Sequence, residues 1–387
     1  MREFIPLSAP NISGNEWRYV RECLDTGWVS TAGAFVTRFE EAVAAYTGAA
    51  HGVACASGTA ALHVSLLLAG VRPGDEVLVP SLTFIAPINA VRYCGAEPVF
   101  FDADRYGNLD PGQVRAFLAE ELEAAGGEAR DRRTGRPVRA LLSVAALGRA
   151  GDWADLYDEC RARGLAVVED ATEALGTRYV AGPWAGRHAG TPADLACLSF
   201  NGNKIMTTGG GGMILTGDAA RAERARYLTQ QAKDDPVAFV HGAVGYNYRL
   251  TNVAAAIGVA QLERMEEFLA CKQAGHAAYR ERLSGLDWGE LLPEPPYARN
   301  NLWMYPWYVR DGRWRGRARD LVEALREYGI ESRPLWELCH RQPPYRGCRA
   351  LSTERAADLV ANVVNLPCST GLRPEQIDRV GEALARV

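Results

Sequence analysis

From His51 onward the chain alternates short apolar runs with amphipathic helical stretches. That alternation restricts it to a mostly parallel sheet covered by helices on both faces, because parallel neighbours must be joined by crossovers long enough to hold a helix. The run GVACA leads into Ser57-Gly58-Thr59 and a helix with Leu62, Leu66 and Ala69 on one face, for which Ser57 is a suitable N-cap. DEVLVP, a helix from near Thr83 and Phe84, EPVFFDAD, RALLSVAAL, the helix DWADLYDECRARG, LAVVEDA and DLACLSF continue the pattern. The polar, glycine-bearing segment 120–137 reads as a loop or hairpin inserted at the surface.

Two helices, NEWRYVRECLDTG and FVTRFEEAVAAYTG, precede this region, and Trp28 in the loop between them is expected to pack between the helices. After DLACLSF come the strand GMILTG and the helix DAARAERARYLTQQA. A long helix is then expected from near Thr251 to about residue 285, connecting to a region rich in Pro, Trp and Tyr. WMYPWYVR, RARDLVEALREYG, IESRPLW and the closing helix PEQIDRVGEALARV predict a small α+β domain there. The expected organisation is a large α/β domain over 1–250, a connecting helix over 251–285 and the small domain over 286–387, comfortable for a chain of 387 residues.

A formal charge of -4 argues against a nucleic-acid footprint. Nine cysteines, scattered and without a CxxC pair, signal neither a zinc site nor a disulfide framework. No signal peptide or membrane-length apolar span is visible, so the expected location is the cytoplasm, with no membrane partner and no metal.

Forty arginines against only three lysines make each lysine conspicuous, because Arg cannot do amine chemistry. A lysine can lose its proton, attack a carbonyl and form a Schiff base. Lys233 and Lys272 sit among charged neighbours at helical spacing and are expected to be ordinary solvated residues. Lys204 differs: in SFNGNKIMTTGGGGM it follows an apolar run ending at Phe200 and precedes four consecutive glycines, as either a basic turn residue or a reactive amine.

Three further features would gather with Lys204 outside the carboxyl ends of the strands, where open α/β sheets bind ligands. Ser57-Gly58-Thr59 at a helix start suits a phosphate, and equally a simple cap. Asp170 ends the strand LAVVE, where it could hold a protonated ring nitrogen or cap a helix, while Glu169 beside it faces the other way. Ser199, also at a strand end, could reach the same phosphate. A phosphate cradle, a carboxylate and an amine are what pyridoxal 5'-phosphate needs.

SFNGNKIMTTGGGGM, EDATEALGTRY, PSLTFIAPINAV, GYNYRLTNVAAAIGVAQL and ESRPLWELCHRQPPY together resemble the DegT/DnrJ/EryC1/StrS sugar aminotransferases, of fold-type I among pyridoxal-phosphate enzymes, over nearly the whole chain. Within the family the resemblance is to transaminases of UDP-linked 4-keto-6-deoxy-N-acetylhexosamines in bacillosamine and legionaminic acid pathways. It implies Lys204 as the Schiff-base lysine, Asp170 as partner of the pyridine nitrogen, and Gly58, Thr59 and Ser199 at the phosphate. It also implies Phe84 stacked on the cofactor ring, Thr172 against the opposite face, and Asn247 reaching the phosphate from the neighbouring subunit of a homodimer with shared active sites. Glu173 and Arg249 match positions near substrate or the phosphate, Arg333 one approaching the nucleotide sugar, and His340 one near the dimer cleft.

One departure stands out: where relatives often carry His-x-x-Gly, this chain has Ala145-Ala146-Leu147-Gly148-Arg149. The implied reaction moves an amino group from L-glutamate to a nucleotide-linked keto-deoxy sugar, with 2-oxoglutarate as the other product. A cyclitol or other natural-product ketone is an alternative acceptor, and a non-catalytic cofactor-binding regulator is an alternative of another class. A dehydratase of the family would carry another residue, typically histidine, in place of Lys204.

Overall fold

The computed structural model describes residues 3–235 and 237–387. Helices α1 (Glu16–Thr26) and α2 (Ala34–Thr47) lead into β1 (His51–Cys55), α3 (Gly58–Leu68), β2 (Glu76–Pro80), α4 (Ala86–Tyr93), β3 (Glu97–Phe101) and α5 (Pro111–Glu120). The segment expected as a loop or hairpin is a hairpin, β4 (Leu122–Ala125) with β5 (Glu128–Asp131). Then follow β6 (Val138–Val144), α6 (Ala154–Ala162), β7 (Ala166–Asp170), the short β8 (Arg178–Tyr179), β9 (Leu195–Ser199), β10 (Gly212–Thr216) and α7 (Ala219–Thr229).

A seven-stranded sheet runs in the order β1-β10-β9-β7-β6-β2-β3. Its strands are parallel except β10, which is antiparallel to both β9 and β1. Strands β2 and β10 are buried along their whole length, which is why they read as continuous apolar runs rather than alternating ones. The single reversal at β10 decides the geometry of the site. Gly212, the first residue of β10, pairs with both Ser199 and Cys55, so the connection from β9 to β10 lies at the carboxyl ends of β1 and β9.

Beyond a small hairpin, β11 (Lys233–Asp235) with β12 (Val240–His241), lie α8 (Asn252–Leu262) and α9 (Met265–Arg282). The long helix expected from 251 to 285 is therefore two helices. The first starts near Thr251 as expected, and Thr251 caps it, its hydroxyl accepting from the Ala254 amide. The break at Arg264 (φ -111, ψ 11) has no Pro or Gly behind it. Tertiary contacts make it: Glu263 accepts from Tyr19 Oη at 2.7 Å and from Asn15 Nδ2 at 2.7 Å, which docks the joint onto α1. Helix α8 packs against α1 and α2, with Phe39 seated so close to Gly258 that a Cβ there would meet its ring at 2.6 Å.

The remaining elements are β13 (Gly289–Leu291), β14 (Ala298–Arg299), β15 (Tyr305–Val309), α10 (Ala318–Glu327), β16 (Arg333–Pro334), α11 (Glu354–Asn362), β17 (Val363–Leu366) and α12 (Pro374–Arg386). Four of these strands form an antiparallel sheet, β13-β15-β17-β16. Its core joins Trp307, Leu321, Val364 and Val380 with Tyr279 of α9, and with Ile5 and Leu7 from the N-terminus. Ile5 bridges Ile330, so the first described residues lie on this C-terminal unit rather than on the large sheet. Among the described residues no helix is long and apolar enough to cross a membrane.

Two further expectations need correction. Trp28 does not pack between α1 and α2 but is 59% exposed. Gly27 ends α1 in the left-handed region (φ 74), which turns the chain so that the Trp28 carbonyl, not its ring, meets the core by accepting from Asn252 Nδ2 at 2.7 Å. Lys272 is not solvated but buried, on the face of α9 that carries Phe268 and Tyr279. Its Nζ donates to the carbonyls of Trp303, at 2.8 Å, and Cys368, and burial lowers its pKa.

Candidate active site

The parallel strands β7 and β9 and the reversed β10 bring their ends to one cavity of about 310 Å³. Ser57, Gly58, Thr59, Phe84, Asp170 and Thr172 line it, together with Glu173, Ser199, Lys204 and Arg333. Ser57 caps α3, its Oγ accepting from the Ala60 amide at 3.1 Å. The amides of Gly58 and Thr59 lie in the first turn of that helix, where the helix offers them no acceptor of its own, so they are available to an anion. A Cβ on Gly58 would stand 2.9 Å from Ser199 Cβ and 3.1 Å from Thr172 Cγ2. Gly58, which lines the cavity, is thus packed too tightly against Ser199 and Thr172 to carry a side chain.

Asp170 is 3% exposed at the carboxyl end of β7, with one oxygen accepting from the Thr172 amide at 3.0 Å. Burial raises its pKa, opposed by the hydrogen bonds from Thr172 and by the charge of Lys204. Glu169, one residue earlier, does face the other way: it accepts from Tyr157 Oη at 3.0 Å, and burial raises its pKa to about 7.

Lys204 sits in the connection from β9 to β10, which is folded back by Thr208 N–H to Phe200 O at 2.9 Å and tied to α8 by Thr207 N–H to Gln261 Oε1 at 3.2 Å. Its Nζ lies 3.1 Å from Glu173 Oε1. Burial raises the pKa of Glu173, with the Lys204 charge opposing. The other Glu173 oxygen accepts from the Leu147 amide at 2.8 Å. Leu147 holds that amide in place from the left-handed region (φ 59), a backbone strain of order 1–3 kcal/mol for a residue with a side chain. The Ala-Ala-Leu-Gly-Arg element that departs from the family pattern therefore has its own task here, orienting Glu173. Its Arg149 is directed away, buried against Glu294 at 2.7 Å.

The cavity also holds residues that the sequence did not single out, among them Asn201, Asn203, Trp303 and Trp336. Trp303 is the most telling: Lys204 Nζ stands 4.1 Å from its ring centroid. No sequence signal marked it, because the Asn300-Asn301 pair before it does not by itself reveal that Asn301 is buried and holds the backbone. Asn301 Nδ2 donates to the carbonyls of Glu173 at 2.7 Å and Leu175 at 2.9 Å.

Three expected residues do not line this cavity. His340 packs against Phe100, with its Nδ1 2.6 Å from Ser81 Oγ. Asn247 and Arg249 line a separate cavity with Thr31 and Gln230, and Arg249 Nη1 donates to Gln230 Oε1 at 3.0 Å. Arg333 does line the Lys204 cavity, but it lies toward solvent and pairs there with Glu331 at 3.1 Å.

The model of the DegT/DnrJ/EryC1/StrS aminotransferase family matches residues 10–385. The chain belongs to this family. It is 40% identical to a GDP-perosamine synthase of Caulobacter vibrioides, over 99% of this chain and 98% of that protein. It is 32% identical to a GDP-perosamine synthase of Escherichia coli O157:H7, over 99% of this chain and 98% of that one. Among solved structures it is similar to DesI in the presence of its TDP-sugar product, with 30% identity, a TM-score of 0.87, and coverage of 99% of this chain and 93% of that one. The fold is that of the fold-type I aminotransferases, and the cofactor of this enzyme is pyridoxal 5'-phosphate. The residues present fit that group. The first-turn amides of Gly58 and Thr59 can meet an anion, the buried Asp170 can face a protonated ring nitrogen, and an amine lies in the same cavity.

Proposed function

We propose that this enzyme transfers the amino group of L-glutamate to a nucleotide-linked keto-deoxy sugar, giving an amino sugar and 2-oxoglutarate. The observation that carries the reading is Lys204: its Nζ lies in the cavity within 3.1 Å of the Glu173 carboxylate and shares the space with the buried Asp170. Bound pyridoxal 5'-phosphate supplies a carbonyl that takes up an amine and a ring that withdraws electrons from the carbon bearing it.

The chain's own residues do the rest. The first-turn amides of α3, with Ser57, Thr59 and Ser199, bind the phosphate. Asp170 keeps the ring nitrogen protonated, while Phe84 and Thr172 confine the two ring faces. Lys204 would hold the group through its amine, and once free its Nζ would take the proton from the α-carbon of the donor, pass it on, and in the second half of the cycle return one to the carbon that becomes the new amine centre. Glu173 anchors the freed amine. Arg333 at the mouth meets the nucleotide sugar.

Asn247 and Arg249 line a different cavity within one chain, which fits their acting on the active site of a second copy in a homodimer. The exposed Trp28 and Val29, close in sequence to Thr31 of that cavity, supply apolar surface for such a contact. The names of the 40% and 32% identical relatives make a GDP-linked keto-deoxy sugar the first acceptor to try, in place of the UDP-linked one that the motifs suggested.

The test presents purified enzyme, L-glutamate and a panel of GDP-, UDP- and TDP-linked keto-deoxy sugars, and reads 2-oxoglutarate together with the mass of the sugar product. Formation of both products, abolished in Lys204→Ala, is expected. Turnover retained by Lys204→Ala, or no 2-oxoglutarate with any acceptor, would overturn the reading.

A further inference from the structure

A lysine that alternates between covalent use and proton transfer must spend part of each cycle as a free ammonium, in a cavity where its side chain is only 13% exposed. Such a cation needs partners that do not compete with its chemistry. One is the Glu173 carboxylate at 3.1 Å, and the other is the face of Trp303, its ring centroid 4.1 Å from Nζ. An indole face attracts a cation through its quadrupole without taking its proton.

The indole is braced to be there. Its Nε1 donates to the carbonyl of Asn203 at 2.7 Å, on the residue that precedes Lys204. The Trp303 amide donates to Asn301 Oδ1 at 2.9 Å, and Asn301 Nδ2 holds the Glu173 carbonyl at 2.7 Å, so both partners of the ammonium hang on one buried asparagine. The Trp303 carbonyl is held from the other side by Lys272 Nζ at 2.8 Å. Lys272 makes no ion pair with any carboxylate among the described residues, and its second acceptor is the Cys368 carbonyl. Burying an amine to serve two carbonyls is costly, which calls for a reason at this place. The space that Lys204 and Lys272 both line is about 10 Å³, room for at most one water, so there is little slack between the two.

We propose that Trp303 is a catalytic residue of this site, giving the free Lys204 ammonium a resting place over its indole face, and that Lys272 is the positioning residue that holds the indole there. The proposal rests on the reading of Lys204 as the reacting amine, but its test does not depend on turnover. With three lysines in the chain, reductive methylation of the cofactor-free enzyme at fixed pH, read by peptide mass spectrometry, reports Lys204 against the exposed Lys233.

A desolvated cation–π contact corresponds to roughly a five- to thirtyfold change in how readily the amine reacts. Trp303→Leu should raise the Lys204:Lys233 labelling ratio by that factor, and Trp303→Phe, which keeps an aromatic face, by clearly less. Should the leucine variant not fold, Trp303→Met, whose unbranched side chain adapts to an irregular gap, also lacks the face and carries the same comparison. Lys272→Met should raise the ratio as well, and the Lys272→Met/Trp303→Leu double variant no further than Trp303→Leu alone, whereas a merely structural Lys272 would add its effect.

A ratio within twofold of the parent in Trp303→Leu, equal effects of Leu and Phe, or additive effects in the double variant would overturn the proposal. Failure of the Lys204→Ala test of turnover would instead remove the role of Lys204 and leave the labelling contrast standing.

Discussion

Gly58→Ala is the sharpest test of how the phosphate end of the site is built. The added Cβ would meet Ser199 Cβ at 2.9 Å and Thr172 Cγ2 at 3.1 Å. The threonine methyl can turn away, but a Cβ is fixed by its own backbone, so either the start of α3 or the end of β9 must move. Overpacking of this kind costs about 1–3 kcal/mol, against about 0.5–1 kcal/mol returned because alanine suits a helix better than glycine. The net loss in folding stability is then roughly 0–2.5 kcal/mol, small enough for the variant to fold. Binding should suffer more, because the displaced groups are those that face the phosphate. Loss of one hydrogen bond to a charged group is worth about 1.5–3 kcal/mol, or roughly ten- to 150-fold in Kd. Calorimetric titration of the cofactor-free protein with pyridoxal 5'-phosphate, paired with urea denaturation, separates the two quantities. Gly202→Ala is the control, since a Cβ there meets nothing within 4 Å, and it should leave both unchanged. Cofactor affinity within twofold of the parent in Gly58→Ala, with unchanged stability, would refute the idea that close approach at Gly58 forms the cradle.

Three further outcomes follow from the buried ionisable groups. Asp170→Asn should lower kcat by at least about a hundredfold while leaving the fold intact by circular dichroism, since the amide cannot keep a ring nitrogen protonated. His188 is fully buried, its Nε2 accepting from the Gly176 amide at 2.8 Å, and burial lowers its pKa to about 4. Its contribution to stability is therefore complete above pH 6.5 and is lost as the pH falls toward 4, by about 3 kcal/mol, and urea midpoints of parent minus His188→Gln should show that slope. Glu169 has the opposite sign: with its pKa raised to about 7, its contribution is complete below pH 4.5 and is lost as the pH rises through 7. Glu169→Gln should thus gain up to about 3 kcal/mol over the parent at pH 8 while retaining turnover, and a turnover loss as deep as that of Asp170→Asn would show that Glu169 acts on the active site.

The features that were legible in the sequence are those decided by local pattern or by chemistry that only one residue type can do. Buried parallel strands carry mostly apolar runs, so β2, β7 and β9 stood out, and with them the strand ends where Asp170 and Ser199 lie. Lys204 stood out because an arginine-rich chain had kept a lysine there. What stayed hidden depends on which surface a helix or loop is pressed against. In α9 the charged neighbours of Lys272 concealed that its own face is the packed one, and at Arg264 a helix breaks because Glu263 docks on α1, not because any residue there disfavours helix. The glycine run shows the same limit. A Cβ on Gly212 would strike the Ser57 carbonyl at 2.4 Å, while Gly210, which lines the cavity, has open space around it. The run therefore first lets β10 close against the start of α3, and only through that contact shapes the cradle. Trp303 belongs to the same class. Nothing in NNLWMYPW tells its indole from the core aromatics that follow it, and its place over Lys204 is set by Asn203, Asn301 and Lys272, three residues far apart in the chain that meet only in the fold.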